Sequence, residues 1–284
     1  MNIILGTANV GNSYGVFDSG AFTSVDAVSE LLDRASKLGI IEIDTAAIYG
    51  ESEKILGATG LLDRFSVNTK LAPDSSRCSK PIEGQVYQSL ERLKLDCLGC
   101  LLFHRSDDLI AAEKIGDLDR LFQLQTEGLL NKIGVSVYSS CEVPDRIWSD
   151  YPLTVQCPYN VMDRSLVYEP SYETERIDVR SVFLQGVLLA PSQFLDAFPL
   201  SCAALEKWMR FLENGVDPGL ACMSFVEASG FKNAIVGVKT ISELEQIVQW
   251  RDEFDVTADW LQYLLNIDFE AKSDLIDPRR WNVN

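Results

Sequence analysis

The feature that most limits what this chain can fold into is an alternation of short apolar segments with stretches of helical spacing, repeated along most of its length. IILGTA is followed by Val25, Val28, Leu31, Leu32, Ala35 and Leu38, which recur at three and four residues. Thr23 and Asp26 have the spacing of a capping box, and Gly39 stands where a helix stops. IIEIDTA precedes a helix from about Glu53, FSVNTKL one carrying Val86, Leu90 and Leu93, and CLGCLLF one carrying Leu118, Leu121, Phe122 and Leu124. KIGVSVY, LTVQCPYN, SVFLQGVLL and NAIVGVK complete eight strand candidates, interleaved with helical patterns ending at Gly215 and over Ser242 to Gln249. With no GxGxxG after the first strand, this order favours a closed parallel (β/α)8 TIM barrel over a doubly wound sheet.

Barrels of about 250 residues fold as one unit, so residues 1–284 read as a single domain. The stretch 251–284, with DVTADWLQYLLN and IDPRRW, breaks the alternation and reads as a C-terminal tail with one helix. The formal charge of −17 argues against a nucleic-acid or anionic-membrane surface, and it requires a local positive group wherever an anionic ligand binds. No apolar run approaches the roughly 18 residues of a membrane helix, and no leader pattern opens the sequence. Seven cysteines without framework spacing fit reduced thiols, so the cytoplasm is the expected compartment. Cys97 and Cys100 form a CxxC that reads as two small core residues, and no metal site is expected.

Active sites of such barrels lie at the C-terminal ends of the strands. Asp44 ends IIEID, Tyr49 follows in TAAIYG, Lys70 ends SVNTK and His104 ends CLLFH. Each has an ordinary reading taken alone: Asp44 as a cap, Tyr49 as a wall residue, Lys70 as a snorkelling terminus. His104, the single histidine of the chain, reads most simply as core. Four such residues on three consecutive strands form one mouth, and that changes the weighing. Alternation in FSVNTKL puts Asn68 and Lys70 on one face, where a buried ammonium needs a carboxylate, and Asp44 is the natural partner. An ammonium about 4 Å from a phenol, at an effective dielectric near 20, favours the phenolate by roughly 4 kcal/mol. Such a phenol can deliver a proton to a carbonyl oxygen at neutral pH, with a neutral imidazole fixing that oxygen's direction.

LGTA, IDTAAIYGESEKILG, NTKL and LDCLGCLLFH resemble, in order and spacing, the first half of the aldo-keto reductase family, and the likeness runs from residue 3 to about residue 250. The resemblance implies an eight-stranded barrel, an extended NADP or NAD cofactor, a small carbonyl substrate, and a catalytic set of Asp44, Tyr49, Lys70 and His104. It implies cofactor contacts at Thr7, at Ser136 of GVSVY with Gln156 of VQCPYN, and at Arg180, Ser181, Phe183 and Gln185 of RSVFLQG. Gly237, Lys239, Glu243 and Gln246 of IVGVKTISELEQI would hold the adenosine end. Val137 stands where the family has an asparagine, and Arg180 where many members have an aromatic ring; its planar guanidinium would lie on the nicotinamide instead. Glu243 falls where many members place an arginine for the 2′-phosphate, while Lys239 and Glu243 also suit two solvated charges at a helix start. Tyr14, Trp148 and the aromatic tail are candidates for the substrate pocket. Two other functions share the motif: a cofactor-binding regulatory subunit with little turnover, and a Schiff-base lyase using Lys70.

Overall fold

The computed structural model describes residues 1–11, 22–72, 81–165, 176–197 and 203–281. Eight parallel strands close on one another in chain order: β1 (Asn2–Gly6), β2 (Glu42–Asp44), β3 (Ser66–Leu71), β4 (Leu98–Phe103), β5 (Leu130–Ser136), β6 (Thr154–Pro158), β7 (Ile177–Arg180) and β8 (Asn233–Gly237). The ring shuts where β1 pairs with β8, Asn2 opposite Asn233 through Gly6 opposite Gly237.

Because successive side chains in a strand face opposite sides, each strand divides its residues between two environments. Ile3, Leu5, Ile43, Val67, Leu101, Phe103, Ile133, Val135, Val179 and Val236 belong to the apolar core shared with the helices. The other set includes Asp44, Asn68, Lys70, Thr154, Gln156 and Asp178, all buried, so the barrel's interior is largely polar.

The helices that cover the barrel are α1 (Val25–Lys37), α2 (Ser52–Ala58), α3 (Ile82–Leu93), α4 (Ser106–Ile115), α5 (Asp117–Thr126), α6 (Asp145–Asp150), α7 (Pro191–Ala197), α8 (Ala203–Leu212), α9 (Pro218–Ala228) and α10 (Ile241–Asp252). Helix α1 buries Val28, Leu31, Leu32 and Ala35, the stripe that its spacing foretells. Its cap is Ser24, whose side chain accepts from the Ala27 amide; Thr23 is one residue too early for the capping box. Gly57 of α2 lies so close to α3 that a Cβ there would stand 2.1 Å from the Arg92 carbonyl oxygen. Only glycine permits that approach.

Three sequence expectations need correction. SVFLQGVLL is not the seventh strand: β7 is the preceding IDVR, and the apolar run curls through left-handed backbone at Ser181, Leu184 and Gln185 (φ 59°, 46° and 54°). One helix was expected after β4, but Gly116, at φ 82°, divides the segment into α4 and α5. The tail begins after Asp252, where α10 ends, and holds two helices, α11 (Asp259–Asn266) and α12 (Ser273–Ile276). Leu264, Ile267, Phe269 and Leu275 join the core, and Arg164 ties the tail down by donating to the Leu264 and Leu265 carbonyls at 3.2 and 3.0 Å.

Candidate active site

Residue pairing along the strands builds the site. Asp44 lies opposite Asn68, and Lys70, two residues further along on the same face, reaches back with its long stem. Its Nζ donates to Asp44 Oδ2 at 2.5 Å and to the Thr45 carbonyl at 3.0 Å. Burial works against a charge on Lys70, yet the Asp44 carboxylate and the Tyr49 phenol more than offset it, so the ammonium titrates above the ordinary lysine value. The second oxygen of Asp44 accepts from Gln156 Nε2 at 2.8 Å, so both carboxylate oxygens are engaged.

Tyr49 comes from the turn after β2. Thr7 Oγ1 donates to the Asp44 carbonyl at 3.0 Å, and Ser52 Oγ lies 3.3 Å from Thr7 Oγ1 and 3.0 Å from Thr45 Oγ1. These buried hydroxyls fasten both ends of the turn. The Lys70 Nζ stands 5.4 Å from the centre of the Tyr49 ring. His104, just past β4, meets that ring edge-on with centroids 6.5 Å apart. Burial, with the charges of Lys70 and Arg180, holds the imidazole down to about 4, so it is neutral at pH 7. Its Nδ1 is buried and has no hydrogen-bond partner among the described residues. Asp44, Tyr49, Lys70 and His104 are thus brought to one mouth, as the sequence leads one to expect.

A cleft of about 450 Å³ runs outward from Asp44 and Tyr49. Thr7, Gln156, Arg180, Ser181, Phe183 and Gln185 line it together with Gly237, Lys239, Glu243 and Gln246. Ser136 lies beside Gln156 in the pairing of β5 with β6 but forms none of the wall. Lys70 and His104 sit behind it in the same sense.

Several of these residues do more than line a wall. The Thr7 hydroxyl proton goes to the Asp44 carbonyl, which makes Thr7 a tether of the turn that carries Tyr49. The Arg180 guanidinium lies flat over the Tyr138 ring, 4.4 Å from its centre. Glu243 stands in the first turn of α10, where Thr240 caps its amide at 3.1 Å and its own carboxylate accepts from the Lys239 amide at 2.6 Å. That is capping chemistry, and it also leaves a negative charge in the cleft.

The sequence reading missed Asn9 and Trp250. Asn9 is 6% exposed, donates to the Val238 carbonyl at 3.3 Å and leaves its Oδ1 buried beside the cleft with no partner among the described residues. Its place directly after LGTA was the available signal. Trp250, on the last turn of α10, meets Phe183 edge-on at 5.8 Å and closes the same wall. Trp148 is half-buried against the core, and Tyr14 lies outside the described residues.

Away from the mouth, Cys100 is buried and its thiol is pushed up by that burial, while Cys97 is half-buried. At the opposite end of the barrel Asp178 accepts from Asn233 Nδ2 at 2.8 Å. Burial raises its carboxyl to about 6 despite that bond. No described helix is long and apolar enough to cross a membrane.

The family model for the aldo/keto reductases matches residues 2–267, and the chain belongs to that family. The match extends past α10 into the tail. An aldo-keto reductase of Monascus ruber, pigE, is 29% identical over 187 residues, 58% of this chain and 53% of its own length, so this chain spans about half of that relative. A 6-dehydroglucose reductase of Agrobacterium fabrum is 28% identical over 278 residues, 87% of this chain and 89% of its own. Among solved structures, an aldo-keto reductase from Pseudomonas aeruginosa superposes with a TM-score of 0.65 at 25% identity, covering 88% of each chain.

Proposed function

We propose that this protein reduces the carbonyl group of a small aldehyde or ketone with NADH or NADPH, Tyr49 serving as the general acid. The observation that carries this reading is the buried Lys70–Asp44 pair, 2.5 Å apart, placed behind the Tyr49 ring with a neutral His104 beside it.

The residues of the cleft fit a nicotinamide dinucleotide. The Asn9 Oδ1, without a partner among the described residues, can accept from a hydroxyl or amide group, and the left-handed residues Ser181 and Gln185 line the cleft. Ser136 and Gln156 would hold the carboxamide end, Ser181, Phe183 and Gln185 the middle, and Gly237, Lys239, Glu243 and Gln246 the adenosine end. When bound, the reduced cofactor supplies the hydride that adds to the carbonyl carbon. Tyr49 gives its proton to the oxygen as negative charge develops there, and the adjacent Lys70 ammonium lowers the cost of leaving a phenolate. Asp44 keeps Lys70 charged, and Gln156 holds Asp44 in place. His104, being neutral, can donate a hydrogen bond to the substrate oxygen without competing as an acid.

The Schiff-base alternative needs Lys70 as a free amine. Its ammonium is stabilised above the ordinary range, which weighs against that use. The bacterial relative's name makes oxidised sugars the first substrates to try. The deciding experiment is Tyr49→Phe. Carbonyl reduction is expected to fall by about 10² to 10⁴ while cofactor affinity stays near the parent value. Turnover at the parent rate would remove Tyr49 from the proton-donor role, and a parent with neither turnover nor cofactor binding would remove the reductase reading.

A further inference from the structure

Arg180 ends β7 inside the cleft, and what it touches is uncharged. Its guanidinium lies over the Tyr138 ring and donates to the Val137 carbonyl at 3.3 Å and the Ser181 hydroxyl at 3.4 Å. Among the described residues none gives it a salt bridge. Asp163 lies near enough to feel its charge but forms no salt bridge with it, and that carboxylate accepts from the Ser165 hydroxyl at 2.5 Å. Asp44 is paired with Lys70, whereas Arg180 has no ion-pair partner among the described residues. The charge of Arg180 reaches His104, contributing after burial and Lys70 to the depression of that imidazole.

This excess charge bears on the redox state of a bound nicotinamide. If Tyr49 protonates the carbonyl oxygen, the hydride must arrive at the adjoining carbon, so the nicotinamide ring lies at the end of the cleft that Tyr49 and Arg180 share. The reduced ring is neutral and the oxidised ring carries a positive charge. An aromatic side chain would offer the cationic ring an attractive π face. A guanidinium reverses the sign of that interaction.

We propose that Arg180 makes the site discriminate between the two redox forms of its cofactor, holding the reduced form firmly and expelling the oxidised one after hydride transfer. The proposal rests on the reading of the cleft as a nicotinamide site. It changes the order of binding and release, not the overall equilibrium of the reaction: the protein takes up the reduced form from a mixed pool and suffers little inhibition by the oxidised product.

Fluorescence titration of the full chain with NADH, NAD⁺, NADPH and NADP⁺ tests it without any substrate. The parent is expected to bind the reduced member of its preferred pair at least about tenfold more tightly, which corresponds to about 1.4 kcal/mol. Arg180→Met should bring that ratio close to one, and Arg180→Lys, which keeps the charge, should preserve most of it. Arg180→Gln keeps a donor toward Val137 and replaces the Met variant if that one folds poorly. A ratio unchanged on neutralising Arg180, or equal weakening of both redox forms, would overturn the proposal, the latter marking a phosphate or packing contact. A parent that binds none of the four would instead overturn the nicotinamide reading itself.

Discussion

Lys70 and Asp44 form an ion pair across neighbouring strands, with side-chain exposures of 2% and 5%. A pair so well buried is costly to break on one side only, because the surviving charge has nowhere to go. Lys70→Met is therefore expected to destabilise the fold by about 3–5 kcal/mol in urea unfolding. Removing the carboxylate too, in Asp44→Asn with Lys70→Met, should restore much of the loss. A single variant as stable as the parent would mean that the pair is not charged in the folded protein.

The same pair, by holding Lys70 as an ammonium, weighs against its use as a nucleophile. Borohydride treatment in the presence of a carbonyl compound is expected to leave Lys70 unmodified by mass spectrometry, whereas a reduced adduct on Lys70 would restore the lyase alternative.

Asp178 governs a pH dependence of opposite sign to that of His104. Its carboxyl titrates at about 6 in the fold against 3.8 when unperturbed, so the native state keeps a proton that the unfolded chain has lost. Stability through this group therefore falls as pH rises from about 4 to about 6, and stays low above that. His104, held down to about 4 from 6.5, contributes stability that is present above 6.5 and lost as pH falls toward 4. Asp178→Asn should raise stability at pH 8 by about 1–3 kcal/mol and change it little at pH 4. Equal effects at both values would show that Asp178 is ionised throughout.

Glu243 sets the expectation for cofactor choice. A carboxylate near a 2′-phosphate repels it, where an arginine would hold it through two hydrogen bonds. NADPH is expected to bind less than about a hundredfold more tightly than NADH, a gap of under about 2.8 kcal/mol. Glu243→Arg should shift the ratio toward NADPH by at least about tenfold. A parent preference of about a thousandfold for NADPH would place the phosphate elsewhere, with Lys239 or another basic residue.

The tail separates into parts of different importance. Ending the chain before Asp255 removes Leu264, Ile267 and Phe269 from the core and is expected to abolish cooperative unfolding. Ending it before Asp274 removes Leu275 and Trp281 and should leave unfolding cooperative while changing the relative use of carbonyl substrates. The reverse order of effects would assign the core role to the last segment.

The motifs that end β2, β3 and β4 were legible because each places an uncommon polar residue directly after an apolar strand. Strand β7 was not: its four residues IDVR carry two inward charges, while the apolar run behind it mimics a strand better than the strand itself. Helix α9 was hidden for a related reason, being buried from Gly219 to Val226 except at Leu220, so it has no polar face to give it a period. Asn9 could not be read as part of the site because its significance lies in an oxygen with no partner among the described residues, and only the folded loop after β1 reveals that.

Gln156 reaches Asp44 from β6, on the far side of the ring from β2, and this contact makes the barrel indivisible. A fragment ending after β4 would contain the Asp44–Lys70 pair without the amide that completes it or the opposing wall that keeps water out. The complementary fragment would present Gln156, Arg180 and Asp178 on an open sheet with nothing across from them. Each half of the ring thus lacks groups that complete the Asp44 cluster, which is assembled only when both halves come together.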